Sequence, residues 1–326
     1  MTAWKKALAR ILAVTAIGLA GSGPLLAQDQ PFPKKGPIEL IVLFPAGSSA
    51  DVTARLLADG MGRNLDARVI VVNHPGAGGA IGYKVAAARK PDGYTLVWNS
   101  NSVSTAFYSG MMPIDYRAFD AVARVLVESP VLAVRSDAKW KTLGEFMADA
   151  KARPKNVTVG NSGIGSHTHI SSVALFKSGG VEVVDVPYGA AQVVPSLLGS
   201  QVDALVQLPA ALSSYVKNGQ VRLLAALAPA RDPVLPDVPT AHEQGYDITL
   251  EAWRGIAVPK GTPRPVIEML EAAIRKTAEN PEFIQAAQRL GVRSAFTPAA
   301  AFGEQIAKED VTMAVMMDLI GMKKQP

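Results

Sequence analysis

The sequence predicts an α/β protein made of two doubly wound lobes with a ligand cleft between them. Three observations carry that expectation. Short apolar runs alternate with helix-length segments through most of the chain. The alternation restarts after a first strand–helix–strand–helix–strand unit, and each series contains a strand that feeds a Ser/Gly turn opening a helix. The 326 residues also suit about two domains of roughly 100–200 residues each.

The first segment stands apart. Lys5, Lys6 and Arg10 precede an apolar stretch from Ile11 to Ala20, and Gly-Ser-Gly-Pro then leads to Leu25-Leu-Ala27. This order of basic, apolar and small residues reads as a secretory signal peptide over residues 1–27, cleaved near Ala27. The apolar run is shorter than the roughly 20 residues that span a bilayer, which argues against an uncleaved anchor. Loss of these three cations and no acid takes the formal charge from +5 to +2. No Lys/Arg run follows, so nothing suggests a nucleic-acid footprint. The absence of cysteine excludes disulfides, thiolate metal sites and cysteine nucleophiles, leaving an exported protein to rest on its core.

In the first series, Ile38 to Phe44 is nearly continuous apolar, as a parallel strand covered on both faces is. Asp51 to Leu65 places Leu57, Met61 and Leu65 on one helix face. A strand over Val69–Val72, a short helix to about Ala88, the turn Pro91-Asp-Gly93 and a strand over Tyr94–Trp98 complete the unit. In the second series, Thr142-Leu-Gly-Glu145 has the form of a capping box for a helix that stops before Pro154. Strands follow at Val157–Val159, Val181–Val186, Val202–Gln207 and Val221–Ala228, with helices ending near Lys177, Leu198 and Asn218. From about Arg264 the chain reads as mostly helical. The domain expectation is a discontinuous first lobe, 28–129 with 245–326, and a second lobe over 130–244.

The two turns carry the chemistry. A helix N-terminus leaves unpaired N–H groups and a partial positive charge, so it suits a carboxylate without any Lys or Arg. In the first turn, Phe44-Pro-Ala46-Gly47-Ser48-Ser49-Ala50, Gly47 permits close approach to the backbone and the serines add hydroxyl donors. The second, Gly160-Asn-Ser162-Gly163-Ile164-Gly165-Ser166, has the same equipment. In open parallel sheets ligands bind outside the carboxyl ends of strands, where both turns must lie. Each turn taken alone also reads as ordinary N-cap chemistry.

Other motifs are weaker. Ile164 breaks the nucleophile-elbow pattern around Ser162, and Gly163–Thr168 lacks the third glycine of a dinucleotide loop. His167 and His169, two apart on a helix, point away from each other, which disfavours a metal pair and favours capping or cleft hydrogen bonding. No metal or cofactor is expected. Asp51 is assigned to helix stabilisation, Trp253 to the core and Arg254 to the surface. Asn99, Ser100, Asn101 and Ser102 end the third strand, either as polar selectors on the cleft floor or as a simple polar loop.

Taken together, several motifs in order carry a resemblance. They are Phe44-Pro-Ala-Gly47 with Asp51 and Ala54-Arg55, Val72-Asn-His-Pro-Gly-Ala-Gly-Gly79 with Ile81-Gly82, and Pro91-Asp-Gly-Tyr-Thr-Leu96. They continue through Val186-Pro-Tyr188, Leu235-Pro-Asp-Val-Pro-Thr240, and Trp253 with Gly255, Pro259 and Gly261-Thr-Pro263. Over essentially the whole mature chain this resembles the Bug family, the periplasmic solute receptors of tripartite tricarboxylate transporters. The resemblance implies a type II periplasmic-binding-protein fold, a non-enzymatic receptor, a small di-, tri- or aromatic carboxylic acid as ligand, and delivery by a monomer to membrane permease subunits. It also implies that the turns at Phe44–Asp51 and Gly160–Ser166 cradle the carboxylate. On this reading the amides around Ala46–Ala50 and Ser162–Ser166 dock the ligand, while Asn101, His169 and Gln207 tune what lies between. Two departures bear on specificity: Gly189 follows Tyr188 where relatives often carry Lys, and Ser196 stands where an acid is common. The rival is an exported serine hydrolase using Ser162 with His169, and a sensor subunit would use the same cleft.

Overall fold

The computed structural model describes residues 31–189 and 191–324; the expected signal peptide lies outside them. The chain divides after Lys35. Of the first unit, residues 31–35 are described and carry a turn closed by the Lys34 N–H to the Pro31 carbonyl at 2.8 Å. The remainder holds the two sheets.

In chain order the elements are β1 (Ile38–Val42), α1 (Ser49–Leu65), β2 (Val69–Asn73), α2 (Ala80–Ala87), β3 (Thr95–Ser100), α3 (Ser102–Tyr108), β4 (Phe119–Glu128) and β5 (Val131–Arg135). They continue with α4 (Leu143–Ala152), β6 (Thr158–Asn161), α5 (His167–Ser178), β7 (Val184–Pro187), α6 (Val193–Leu198), β8 (Ala204–Gln207), α7 (Pro209–Lys217) and β9 (Val221–Ala226). The last are β10 (Ala252–Pro259), α8 (Arg264–Ala278), α9 (Pro281–Arg289), β11 (Arg293–Pro298) and α10 (Ala299–Leu319).

A six-stranded sheet runs β11-β4-β10-β3-β1-β2 and a five-stranded one β7-β6-β8-β5-β9. In the first, β1 pairs parallel with β2 and β3, and β10 runs antiparallel between β3 and β4. In the second, β6 pairs parallel with β7 and β8, and β5 runs antiparallel between β8 and β9. Each sheet therefore has the expected parallel half and an antiparallel half that the periodicity did not announce. The sheets exchange chain twice, through Ser129-Pro130 between β4 and β5 and through residues 227–251 between β9 and β10.

Local chemistry accounts for the parts that position the site. Ile38, Leu40, Ile41 and Val42 of β1 are fully buried, as a strand flanked by parallel neighbours requires. Leu57 and Met61 of α1 point inward at 0 % exposure. Gly60 lets α1 approach α8: a Cβ there would stand 2.2 Å from Thr277 Cγ2. Thr142 caps α4 by accepting from the Glu145 N–H at 3.1 Å, while the Glu145 carboxylate takes the Lys141 amide rather than the Thr142 amide of a reciprocal capping box. The C-terminal segment is helical as expected, except that β11 interrupts it as an edge strand on β4.

Candidate functional site

The two Ser/Gly turns open helices in the same way. Ser48 is the N-cap of α1 and accepts from the Asp51 N–H at 3.3 Å; Ser166 is the N-cap of α5 and accepts from the His169 N–H at 3.2 Å. Each cap engages the third helical amide. The first two, on Ser49 and Ala50 in one helix and on His167 and Thr168 in the other, have no acceptor among the described residues. All four residues line one tight cleft of about 20 Å³, room for about one water, together with Phe44, Ser48, Ser100, Asn101, Ser102, Ser162, Ser166, Gln207, Leu208, Ala252 and Arg254.

The open donors lie at the far end of the first expected window and just beyond the second. Within the turns most amides are already engaged. The Gly47 N–H donates to Asp51 Oδ2 at 3.0 Å and the Ser48 N–H to the Pro45 carbonyl at 3.2 Å. The Ser162 N–H donates to Thr168 Oγ1 at 3.0 Å, the Gly163 N–H to Asn161 Oδ1 at 3.1 Å, the Gly165 N–H to His169 Nδ1 at 3.1 Å, and the Ser166 N–H to the Gly163 carbonyl at 3.1 Å. A Ser/Gly turn closes on itself before it offers anything outward, which moves the available donors into the first helical turn. Ala46 and Ile164 are exposed, Ile164 at 51 %. Gly163 and Ile164 line a neighbouring outer groove instead, and the positive φ of Gly165, +75°, lets the turn fold back.

Among the polar selectors, Asn101 is engaged at both ends. Its Oδ1 accepts from the Trp253 N–H at 2.9 Å and its Nδ2 donates to Glu309 at 3.1 Å. Gln207 Nε2 donates to Ser162 Oγ at 2.9 Å and its Oε1 accepts from the Leu208 N–H at 2.8 Å. His169 is half-buried, and burial lowers its pKa. The serine–histidine pairing of a hydrolase is not formed: Ser162 Oγ accepts from Gln207 while His169 Nδ1 accepts from the Gly165 amide.

Arg254 corrects the surface assignment. It is 3 % exposed, and its Nε donates to Oε1 of fully buried Glu128 at 3.4 Å. The cause is topological: β10 lies inside the six-stranded sheet, where Arg254 pairs with Leu126 and Ala252 with Glu128, so both charged side chains emerge on one face. The Ser49 hydroxyl donates to Glu128, with Oε1 at 2.6 Å and Oε2 at 2.8 Å. Sequence reasoning missed Glu128, Thr168, Leu208 and Ala252 at or beside the cleft; a buried acid 126 residues from its partner leaves no local pattern. Trp253 packs edge-on against Phe302 in the core, with centroids 5.0 Å apart.

Two further groups set the electrostatics. Burial alone would raise the Asp51 pKa, but hydrogen bonds from Arg55, the Gly47 amide and Asn73 hold it below the ordinary value. Asp51 is thus part of the turn rather than a group aimed at the cleft. His167 is buried beside Arg254, and burial first, then the guanidinium charge, push it down to about 4, so it is neutral at pH 7. Among the described residues no cluster of three His, Cys, Asp or Glu side chains could hold a metal ion.

Residues 53–317 match the family model described as "Tripartite tricarboxylate transporter family receptor". Protein BugT of Bordetella pertussis is 32% identical over 307 residues, 91% of this chain and 92% of that protein. A TctC solute binding protein from Polaromonas, solved without ligand, is 34% identical with a TM-score of 0.66, covering 88% of this chain and 99% of that one. The periplasmic binding protein BugD is 28% identical with a TM-score of 0.83 over 89% of this chain and 99% of that one. MatC of Rhodopseudomonas palustris, solved with bound malate, is 25% identical with a TM-score of 0.80 over 87% and 99%. With this match and this fold, the chain belongs to the tripartite tricarboxylate transporter receptor family, the Bug-type periplasmic solute-binding proteins, which are receptors and not enzymes.

Proposed function

We propose that this protein captures a small carboxylated organic acid in the cleft between its two sheets and delivers it to the membrane permease subunits of a tripartite transporter. The observation that carries the reading is the pair of helix starts, each leaving two N–H donors open on the same cleft. Such donors hold a carboxylate without a counter-ion. The protein solved with malate supports the class of ligand.

The amides of Ser49, Ala50, His167 and Thr168 are the docking groups, with Ser48, Ser162, Ser166 and Gln207 lining the space around them. The lobes divide as 28–129 with 245–326 and as 130–244, and the two inter-sheet connections serve as the hinge. Closure is driven by contacts that form only when both helix starts touch the solute. Gly78 and Gly165 lie back to back, a Cβ on Gly78 falling 2.9 Å from the Gly165 carbonyl carbon, so the β2–α2 connection and the second turn approach as bare backbone. The receptor acts in the periplasm as a monomer after loss of residues 1–27. Among the described residues no helix is long and apolar enough to cross a membrane.

Titration calorimetry against di-, tri- and monocarboxylates tests the reading, with micromolar or tighter binding expected, about −8 kcal/mol or better. Silence toward every acid overturns it. Ser162→Ala costs a receptor one hydrogen bond, about 0.5–1.5 kcal/mol of affinity.

A further inference from the structure

Arg254 has more donors than the protein uses. Of its five N–H groups, the one on Nε reaches Glu128 at 3.4 Å, a long contact for a charged pair. The two terminal nitrogens have no acceptor among the described residues. They are not sealed in the interior either: among the described residues, the buried side-chain nitrogens and oxygens without a partner belong to His74, Ser129 and His167. The side chain is 4 % exposed, and the space it borders is the cleft. Glu128, at 0 % exposure, anchors the guanidinium from behind and is itself held by the Ser49 hydroxyl. One face of Arg254 is therefore fixed and the other is open to whatever enters between the two helix starts.

The space beyond the cleft differs in kind. Next to Phe44 and Ser162, which line both, lies a groove of about 560 Å³ whose walls include Pro45, Pro75, Met111, Ile164 and Tyr188. None of its lining residues is Asp, Glu, Lys, Arg or His. Ile164 stands 51 % exposed on this wall. A carboxylate placed there would give up water with no cation to receive it, whereas an apolar body would cover Ile164 and Phe44.

We propose that Arg254 is the specificity-determining cation of the cleft and that, with the amides of Ser49, Ala50, His167 and Thr168, it takes the single carboxylate of an acid whose uncharged, apolar body lies along the outer groove. The assignment rests on the receptor reading above and adds the charge and the solute class. Charge balance supports one carboxylate: Glu128 offsets Arg254, and the two helix starts together carry roughly one positive charge. Guanidinium geometry supports a carboxylate rather than another anion-like group, since two parallel N–H donors match its two oxygens.

Calorimetry on the purified protein with benzoate, hexanoate, succinate, citrate and benzamide tests this. Benzoate or hexanoate is expected to bind at least about tenfold tighter than succinate and citrate, and benzamide at least about tenfold weaker than benzoate. Arg254→Gln combined with Glu128→Gln keeps the pair neutral, and it is expected to weaken the best monocarboxylate by about ten- to a hundredfold. Arg254→Lys restores only part of that loss, because the fork is gone. A preference for succinate or citrate, or unchanged affinity in the double variant, overturns the assignment while leaving the receptor reading standing. Equal binding of benzamide and benzoate overturns it without recourse to any variant. A wild-type protein that binds none of these acids overturns the assignment, and the receptor reading falls with it only if every other di-, tri- and monocarboxylate is silent too.

Discussion

The helix starts at Ser49 and at His167 share one local device and keep different company. Both follow a Ser/Gly turn, both have a serine N-cap bonded to the third amide, and both leave two N–H groups toward the cleft. Around the first stand four formal charges: Asp51 with Arg55, and Glu128 with Arg254. Around the second stand mostly neutral groups: Thr168, Gln207 with Ser162, and a histidine kept uncharged by burial and by the same Arg254. A further charge there, Asp185, is held by Ser172 and Asn161 and faces His169. A cap is a property of a few consecutive residues, whereas the field at that cap is set by what the sheets bring beside it.

The comparison can be broken most strongly at the buried pair. Glu128→Ala leaves Arg254 charged without its partner and is expected to cost about 3–5 kcal/mol in urea unfolding. Glu128→Leu with Arg254→Met should recover most of it, since apolar replacement of both partners removes the uncompensated charge. No rescue would mean that the pair does not act as a unit.

The buried histidine at the second start predicts a pH dependence. The folded pKa of His167, about 4, lies below the reference 6.5, so folding favours the neutral ring. Its contribution is fully present above about pH 6.5 and is lost as the pH falls toward 4, a change on the order of 3 kcal/mol. Urea midpoints measured across that window should decline in the wild type and decline less in His167→Gln.

The charged turn comes next. Asp51 accepts from the Gly47 amide and from Asn73 and pairs with Arg55, which is half exposed and adds little. Asp51→Ala is expected to cost about 2 kcal/mol, mostly from the orphaned Gly47 and Asn73 donors. Thermal unfolding with and without high salt separates these: a loss that vanishes in salt would assign the effect to Arg55.

The smallest effects sharpen the likeness itself. Ser48→Ala and Ser166→Ala should each cost about 1 kcal/mol. Ser166 should be the costlier, because its hydroxyl also meets Thr168 Oγ1 at 3.1 Å, and that oxygen holds the Ser162 amide. Equal losses from the two serines would count against that extra link.

The same division governs what sequence reading reached. The continuous apolar run of β1, the 3.6-residue face of α1 and the Thr142 cap were legible because each is written within a few residues of itself. The turns were legible as helix starts, but not which of their amides remained open. That depended on Asp51 and His169 folding back onto Gly47 and Gly165. The antiparallel strands β4, β5 and β10 went unannounced because their identity lies in long-range partners rather than in period.

By itself, then, the sequence determined the alternating elements, the two serine-capped helix starts and the family, since these depend on short-range sterics, periodicity and ordered motifs. The tertiary structure alone decided that Arg254 is buried against Glu128, that His167 is neutral, and that the donors left open on the cleft are the first helical amides rather than those of the turns. Burial and charge pairing join residues such as Ser49, Glu128, His167 and Arg254 that no local window contains, and only the closing of the sheets brings them within reach.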